Sequence, residues 1–249
     1  MFSLQNKTAL ITGGASGIGL AIAQAFATAG AHVHILDLNG GQAEQVASEI
    51  RRTGRKATGH AVDMSSQQQT VEVIGRIAAQ EPIHMLVNNA GVAHIAPLLK
   101  LSVEDWDTTM AVNLRAPFLI ARELAPQMIA RKAGKIINVS SQAGLIAVDD
   151  HGAYSSSKGG LNMLTKAMTV EWAKHNIQIN SVCPTVILTP MGEKNWGSPE
   201  KSGPMLAKIP AGRFGKPVEV ADMILYLASS ASGLVCGQDI LIDGGYTAL

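Results

Sequence analysis

The chain has little cysteine, almost no net charge and no long apolar run, and each shortage excludes a class of protein. Two cysteines, Cys183 and Cys236, are too few for a disulfide framework, which indicates a reducing compartment. A formal net charge of +1 gives no reason to expect nucleic acid or an anionic membrane as a partner. No apolar run reaches the ~18 residues of a transmembrane helix, and the first residues lack a signal-peptide pattern. We therefore expect a cytoplasmic protein.

What the chain does contain is a regular alternation of β-rich and helical patterns. Its 249 residues are 47% hydrophobic, which is enough for a sizeable core in one domain. The patterns predict strands at 8–12, 32–38, 57–62, 85–88, 135–139, 177–182 and 239–242, and helices at 17–29, 43–52, after 66, and at 105–131, 154–174 and 217–229. Near-continuous apolar strands separated by helices predict an α/β fold, with a parallel sheet covered on both faces.

Two stretches depart from this alternation. Within 105–131, Pro117 and Pro126 are expected to break or kink the helix, because proline lacks the N–H of a helical hydrogen bond. Residues 185–212 are rich in glycine and proline, which is typical of irregular structure. This segment is too long for a plain connection, so we expect a functional lid or substrate-binding loop within a single domain spanning 1–249.

A glycine-rich turn lies between the first strand and the first helix. It runs Thr12-Gly13-Gly14-Ala15-Ser16-Gly17-Ile18-Gly19. Glycines let the backbone turn tightly and approach a pyrophosphate, and the helix beyond offers free N–H groups and a positive dipole end. Many turns contain glycine, but strand, turn and helix in this order indicate a dinucleotide site.

Asp37 closes the second strand, where a dinucleotide fold places an acidic residue. Its carboxylate can accept hydrogen bonds from both hydroxyls of an adenine ribose and would repel a 2′-phosphate, which favours NAD over NADP. Neighbouring Leu38 and Asn39 supply no cation for a phosphate. The alternative is a helix-capping or turn aspartate, which is about as common at such a place.

Polar residues also follow the third and fourth strands, at the edge where open α/β sheets bind ligands. Asp63 follows one, and Asn88-Asn89-Ala90-Gly91 ends the other. For Asp63 the alternative is a cap for the helix that starts near Ser66. For Asn88 a side chain that links neighbouring strands is as good an explanation as cofactor contact.

Tyr154 and Lys158 lie four residues apart, one turn from each other on the same helix face. Tyrosine has a pKa of ~10 in water and is a poor acid or base at neutral pH. A cation one turn away stabilises the phenolate and lowers that pKa. The pair would then transfer protons near pH 7. Such pairs also occur by chance on solvated faces, so the pair alone does not decide.

Taken together, these motifs resemble the classical short-chain dehydrogenases/reductases over essentially the whole chain. The residues that carry the resemblance are Thr12-Gly13-x-x-x-Gly17-x-Gly19, Asn88-Asn89-Ala90-Gly91, Asn113, Ser141, Tyr154 with Lys158, and Asp243-Gly244-Gly245. The resemblance implies a seven-stranded Rossmann sheet, hydride transfer with a nicotinamide cofactor, and a homotetramer.

The resemblance also implies a role for each matched catalytic position. Tyr154 is the general acid in ketone reduction and the base in alcohol oxidation. Ser141, favoured over neighbouring Ser140 by its spacing from Tyr154, hydrogen-bonds the reacting oxygen. Lys158 lowers the pKa of Tyr154 and binds the nicotinamide ribose, and Asn113 holds a water in a proton relay.

The cofactor, expected to be NAD, is assigned a larger set of contacts. These are Gly13, Ser16, Gly17, Ile18, Gly19, Asp37, Leu38, Asp63, Met64, Asn89, Ala90, Gly91, Tyr154, Lys158, Pro184, Ile187 and Thr189. Many family members have Pro-Gly where this chain has Pro184-Thr185, so the loop after the sixth strand is expected to differ slightly. No metal is expected, since no His/Cys cluster has the spacing of zinc ligands.

For the substrate, the closest resemblance is to L-xylulose reductases and related sugar-alcohol dehydrogenases. The residues concerned are Ser141-Gln142, Val148, His151, Pro184-Thr185-Val186, Met191-Gly192 and Trp196. We expect Gln142 and His151 to donate hydrogen bonds to substrate hydroxyls beside Tyr154, and Trp196 to close the pocket. An alternative for His151 is a loop residue whose side chain hydrogen-bonds the backbone, and an alternative for Trp196 is packing of the loop on the core. Both alternatives are as good as the substrate roles.

The resulting hypothesis is NAD-dependent interconversion of a polyol's secondary alcohol and the corresponding ketose. A 3-oxoacyl-carrier-protein reductase is an alternative, but Asp37 and the near-neutral charge do not favour NADP use or docking of an acidic carrier. A dehydrogenase of steroids or other apolar alcohols would require a less polar loop. A non-catalytic NAD-binding sensor is the alternative from a different class, and the intact set of proton-transfer residues argues against it.

Overall fold

The computed structural model describes residues 2–248, and these residues form one seven-stranded sheet in which all strands run parallel. The strands are β1 (Thr8–Thr12), β2 (His32–Asp37), β3 (Ala57–Ala61), β4 (Met85–Asn88), β5 (Gly134–Val139), β6 (Ile177–Pro184) and β7 (Asp239–Ile242). Their order is β3-β2-β1-β4-β5-β6-β7. The chain reverses direction across the sheet between β1 and β4, which opens a crevice at the carboxyl ends of the strands.

Helices cover both faces of the sheet, as the sequence predicts. They are α1 (Gly17–Thr28), α2 (Gly40–Arg52), α3 (Gln67–Gln80), α4 (Val103–Met110), α5 (Ala116–Arg131), α6 (Gly152–Trp172), α7 (Pro190–Trp196), α8 (Pro199–Ala207) and α9 (Pro217–Ala228). One core layer, with Ile22 and Phe26 of α1, packs on one face. A second layer, with Ile74 and Ile77 of α3 and Leu124 of α5, packs on the other. The α/β prediction is confirmed.

Within residues 2–248, every helix is too short or too polar to cross a membrane.

The prediction of one helix broken at two prolines was wrong in its details. A π-helical turn, Ala111–Arg115, joins α4 to α5 without a break, and Pro117 lies in the first turn of α5 directly after it. Pro126 lies inside α5 without ending it. Its neighbours Leu124 and Met128 are fully buried, and packing of the buried face outweighs the lost hydrogen bond.

Residues 185–212 are not irregular throughout, contrary to the prediction. They contain α7 and α8, each of which begins at a proline. Thr189 caps α7, since its hydroxyl oxygen accepts a hydrogen bond from the Gly192 N–H at 3.1 Å. The segment is therefore a pair of short helices standing over the carboxyl edge of the sheet.

Candidate active site

A cavity of about 420 Å³ opens at the carboxyl edge of the sheet, within the ~300–1,000 Å³ typical of ligand sites. It runs from the glycine-rich turn to α7, so the predicted cofactor and substrate residues share one space. The predicted residues that line it are Gly13, Ser16, Gly17, Ile18, Asp37, Leu38, Asp63, Met64, Asn89, Ala90, Gly91, Ser141, Gln142, Val148, His151, Tyr154, Lys158, Pro184, Ile187, Thr189 and Trp196. Gly19 and Asn113 lie behind its wall.

The glycine-rich turn leaves the N-terminus of α1 open to the cavity. Gly13 and Gly17 have φ angles of 61° and 53°, a region that favours glycine. The N-cap residue Ser16 makes no side-chain hydrogen bond, so the first N–H groups of α1 keep their donors for a ligand. Gly19 instead packs the turn, because a Cβ there would collide with the carbonyl oxygen of Gly13. The arrangement fits the pyrophosphate of a dinucleotide.

Asp37 stands at the far end of this cavity. Its Oδ2 accepts a hydrogen bond from the Ala15 N–H, and its Oδ1 accepts one from the Asn39 N–H, each at 3.1 Å. The cap of α2 is Asn39, whose side chain accepts from the Gln42 N–H. Each Asp37 oxygen keeps a free lone pair toward the cavity, which suits the hydroxyls of a ribose.

Asp63 shapes the next turn rather than capping α3. Its Oδ1 accepts hydrogen bonds from the backbone N–H and the hydroxyl of Ser65, at 2.8 and 2.7 Å. Ser66 caps the helix, by accepting a hydrogen bond from the Gln69 N–H. The capping alternative for Asp63 is therefore wrong, and its second oxygen remains for a ligand.

The two asparagines after β4 have separate tasks. Asn88 donates from Nδ2 to Oδ1 of Asn138 on β5 at 2.8 Å, which is the strand-linking alternative. Asn89 donates from Nδ2 to the carbonyl oxygens of Thr12 and Gly13, both at 2.9 Å. Asn89 thus holds the glycine-rich turn against the end of β4, and Asn88 lies below the cavity floor.

Asn113 lies in the π-helical turn and is fully buried. Its Oδ1 accepts from the Val92 N–H, and its Nδ2 donates to the Val92 carbonyl and to Oγ of Ser157, at 2.9 to 3.0 Å. Because these contacts occupy the amide, the side chain ties the loop after β4 to α6. A Cβ at Gly91 would meet both Asn113 Oδ1 at 3.4 Å and Lys158 Nζ at 3.5 Å. Gly91 therefore lies against both side chains.

The two serines after β5 point to different places. Ser140 is turned inward, and its hydroxyl donates to the Lys158 carbonyl at 3.2 Å. Ser141 accepts from the Ala143 N–H at 3.1 Å and lines the cavity together with Tyr154, whereas Ser140 is turned away from the phenol.

The pKa of Tyr154 is raised, contrary to the prediction that Lys158 lowers it. Burial is the largest cause, and the Ser141 hydrogen bond acts in the opposite direction. Lys158 is also buried, and burial lowers its pKa to about 8. Burial thus disfavours the charged form of both groups.

Lys158 is held in place by the end of β5. Its Nζ donates to the Val139 carbonyl at 2.7 Å and lies 5.7 Å from the centroid of the Tyr154 ring. The Lys158 ammonium is therefore held at a fixed position beside the Tyr154 ring.

Three predicted residues gather at the substrate end. The His151 ring stacks on Trp196 with centroids 6.2 Å apart and lies edge-on to Tyr154 at the same separation. Its Nδ1 donates to the Asp149 carbonyl at 2.6 Å, which is the backbone contact that the alternative explanation of His151 expects. With the proton on Nδ1, Nε2 can accept a hydrogen bond, and donation by His151 to substrate stays a prediction.

Gln142 supplies a second acceptor in this region. The residue is 4% exposed, and its Oε1 is buried without a hydrogen-bond partner. Such an atom is costly unless a ligand satisfies it.

Some residues outside the predicted cofactor and substrate sets also line the cavity. Thr185, which belongs to the Pro184-Thr185-Val186 run, is one of them, and its hydroxyl is buried without a hydrogen-bond partner. Its φ angle is not positive, so the position does not require glycine. Its place directly after a strand was the available signal. Asn195 and Met205 also line the wall, from α7 and α8.

The sequence matches a known protein family. The family model described as Enoyl-(Acyl carrier protein) reductase matches residues 13–247, from the glycine-rich turn to the end of the chain's last turn. The chain belongs to the short-chain dehydrogenase/reductase family. It is an oxidoreductase by that membership, and the resemblance stated from its motifs is confirmed.

Individual relatives narrow the comparison. The chain is 42% identical to a D-threitol dehydrogenase of Mycolicibacterium smegmatis over 99% of this chain and 95% of the relative. It is 42% identical to an NAD-dependent glycerol dehydrogenase of Listeria innocua over 99% and 96%. These relatives bear the names of polyol dehydrogenases, which is the subgroup expected from sequence.

Solved structures agree on the fold. A crystal structure of a putative gluconate 5-dehydrogenase from Beutenbergia cavernae, with bound NADP at low occupancy, matches with a TM-score of 0.97 and 33% identity. The match covers 100% of this chain and 99% of that one. The short-chain dehydrogenase/reductase architecture therefore extends over the whole described chain.

Proposed function

We propose that this enzyme uses NAD to interconvert a secondary alcohol of a neutral polyol and the corresponding ketose. The observation that carries the proposal is the buried, unpartnered Oε1 of Gln142 beside Ser141. A hydroxyl of the substrate can give that oxygen a partner when it binds, whereas an apolar alcohol leaves it unpaired. Sites built to bind a hydroxyl reject analogues that lack it.

The protein's own groups handle the proton. In the reducing direction, the Tyr154 phenol donates its proton to the ketone oxygen, while Ser141 donates a hydrogen bond that stabilises the partly anionic oxygen. In the oxidising direction, Tyr154 must be ionised to accept the proton of the substrate hydroxyl. Lys158, fixed on the Val139 carbonyl, holds a positive charge near the phenol below about pH 8. The nicotinamide ring, when bound, accepts the hydride in its oxidised form and donates one in its reduced form.

The preference for NAD rests on Asp37. Both of its oxygens face the cavity wall with free lone pairs, and Leu38 beside it is 75% exposed. Among the described residues that line the cavity, Lys158 is the only lysine or arginine, and it lies at the opposite end. A 2′-phosphate would therefore meet a carboxylate and find no cation there.

The same charge distribution favours a neutral substrate over a sugar acid. A carboxylated substrate calls for an arginine or lysine near its carboxylate. The Nζ of Lys158 is already committed to Val139, and the substrate end offers Gln142, His151 and Trp196. Trp196 gives an apolar face for the carbon chain of a polyol, and the two acceptors take its hydroxyls.

A substrate panel tests this proposal. Purified protein is assayed with NAD and with NADP against four- to six-carbon polyols, a gluconate-type sugar acid, a cyclic apolar alcohol and an acyl-carrier substrate. The proposal expects the highest kcat/KM with NAD and a polyol. A preference for NADP and an acyl substrate would contradict both the cofactor and the substrate class. A preference for the apolar alcohol would contradict the substrate class alone, and no turnover at all would contradict the proposed activity.

We also propose a cytoplasmic homotetramer. Apolar side chains of Phe118, Met163 and Val170 are exposed on α5 and α6, an unusual distribution for a surface helix pair. Light scattering on a sizing column checks this: four copies are expected, and a monomer at micromolar concentration would contradict it.

A further inference from the structure

Three histidines and a glutamate meet at the amino end of the sheet, far from the cavity. His32 and His34 occupy alternate positions of β2, so both side chains point to the face covered by α3. Glu81 follows the last residue of α3, and His60 lies on the adjacent strand β3. None of these residues lines the cofactor cavity. His32 and Asp37, at opposite ends of β2, are about 16 Å apart by strand geometry.

The Glu81 carboxylate brings the two β2 histidines together. His32 Nδ1 and His34 Nε2 each lie 3.0 Å from Glu81 Oε1. All three candidate ligand atoms lie within 4.8 Å of one another. Zinc bonds of ~2.0–2.1 Å in tetrahedral geometry place ligand atoms ~3.3 Å apart, and the two nitrogen–oxygen separations of 3.0 Å lie within a few tenths of an ångström of this value.

The nitrogens that face away from the carboxylate also have partners. His34 Nδ1 contacts His60 Nε2 at 2.8 Å, and His32 Nε2 contacts the Thr58 hydroxyl at 3.2 Å. Metal-bound imidazoles nearly always donate their second N–H to such a group, which fixes ring orientation. The ligands and their supporting contacts are thus both in place.

The proton positions are compatible with ion binding. Without an ion, His32 Nδ1 and His34 Nε2 donate to Glu81, and His60 Nε2 donates to His34 Nδ1. When an ion takes the carboxylate-facing nitrogens, each proton moves to the other nitrogen of its own ring. His34 then donates to His60, which carries its proton on Nδ1, and His32 donates to Thr58. These tautomer changes leave the number of protons on each ring unchanged.

We propose that His32, His34 and Glu81 form a structural binding site for one zinc ion, with water in the fourth position. The His32 and Glu81 side chains are 23% and 30% exposed, which leaves an entry path, whereas His34 is 4% exposed. Two imidazoles and one carboxylate are a ligand set that zinc accepts. Bound there, the ion ties β2 and the end of α3 together and stabilises the sheet edge without reaching the cofactor.

The test uses the full chain without a histidine tag, stripped of metal and titrated with zinc by calorimetry, with cobalt as a spectroscopic probe. The wild type is expected to bind one zinc per chain, to show the visible absorption of tetrahedral cobalt, and to gain thermal stability with zinc. His32→Gln and Glu81→Gln remove a ligand each and should lose this binding. His60→Ala, which removes a supporting contact, should bind ~10–100-fold more weakly.

His175→Gln is the matched control, because His175 lies outside the cluster. It should bind zinc as the wild type does, and circular dichroism establishes that every variant is folded. A wild type that binds no stoichiometric zinc overturns the proposal. So does equal zinc binding by the folded His32 and Glu81 variants.

Discussion

The His151 ring lies nearly parallel to the indole of Trp196, with the two planes 18° apart and the centroids separated by 6.2 Å. His151 immediately precedes α6, which carries Tyr154 and Lys158, and Trp196 ends α7. The contact therefore closes the substrate end of the cavity between the catalytic helix and the helical segment after β6. Substrate affinity should depend on it more than cofactor affinity does.

Replacing Trp196 with alanine should raise the KM for the polyol about 10–200-fold, the range for lost apolar contact in a pocket. The cofactor dissociation constant should not change, because Trp196 lies at the opposite end of the cavity from Asp37. The KM of Trp196→Phe, which keeps an aromatic face, should lie between those of the wild type and Trp196→Ala. Steady-state kinetics and fluorescence titration with NAD measure both quantities. Equal losses of substrate and cofactor affinity would show that Trp196 only packs the loop.

Replacing Gln142 with methionine should raise the stability of the protein and lower its activity on polyols. The variant removes a buried oxygen that has no partner, so the free energy of unfolding should rise by about 1–3 kcal/mol. Polyol turnover should fall at least ~10-fold, while a cyclic apolar alcohol gains relative to the polyol. Urea unfolding and paired kinetics measure the two effects. A variant that is less stable than the wild type and keeps its polyol preference would refute the assigned role.

Replacing Asp37 with asparagine should weaken the discrimination against NADP. The amide keeps the size of the side chain, but its single oxygen can accept from only one of the Ala15 and Asn39 N–H groups, and it loses the charge that repels a 2′-phosphate. The ratio of kcat/KM values for NADP and NAD should rise at least ~10-fold. Asp222→Asn, an exposed carboxylate on α9, is the control. An unchanged ratio would remove Asp37 as the selector.

Lys158 should make the stability of the enzyme depend on pH. Burial lowers its folded pKa to about 8, against 10.5 in the unfolded chain, so the unfolded state binds more protons between these values and stability rises with pH there. Lys158→Met removes this dependence. Its unfolding free energy relative to wild type should fall by about 3 kcal/mol between pH 7 and pH 10.5. The lost hydrogen bond to the Val139 carbonyl lowers the stability of the variant equally at every pH. A stability difference between variant and wild type that does not change with pH would therefore contradict the buried-charge explanation.

Much of the fold was predictable, because strands and helices here follow strong local patterns. The bounds of β1, β4 and β7 match those expected, since each is a short apolar run between turn residues. The helices α7 and α8 were missed, although Thr189-Pro190 and Ser198-Pro199 are helix-start signals. Glycine and proline content was given more weight than those two pairs. The π-helical turn around Asn113 had no local signal, because tertiary contacts of the asparagine amide hold it.

The site was predictable as a list of residues but not as a set of charges. Sequence spacing puts Lys158 one turn from Tyr154, yet it does not show how deeply either group is buried, and burial decides both pKa directions. The His32–His34 alternation gives no metal signal by itself in the sequence, because Glu81 is 47 residues away from His34. Glu81 joins them only through the packing of α3 on β2.

The central claim is that the Tyr154 phenol exchanges the substrate proton, and replacement by phenylalanine tests it most directly. The measurement is single-turnover polyol oxidation with NAD, alongside the NAD dissociation constant of the same variant. Loss of one general acid–base group should slow turnover by about 10²–10⁴-fold, with the cofactor dissociation constant unchanged. A Tyr154→Phe enzyme that oxidises the polyol at the wild-type rate would contradict the account.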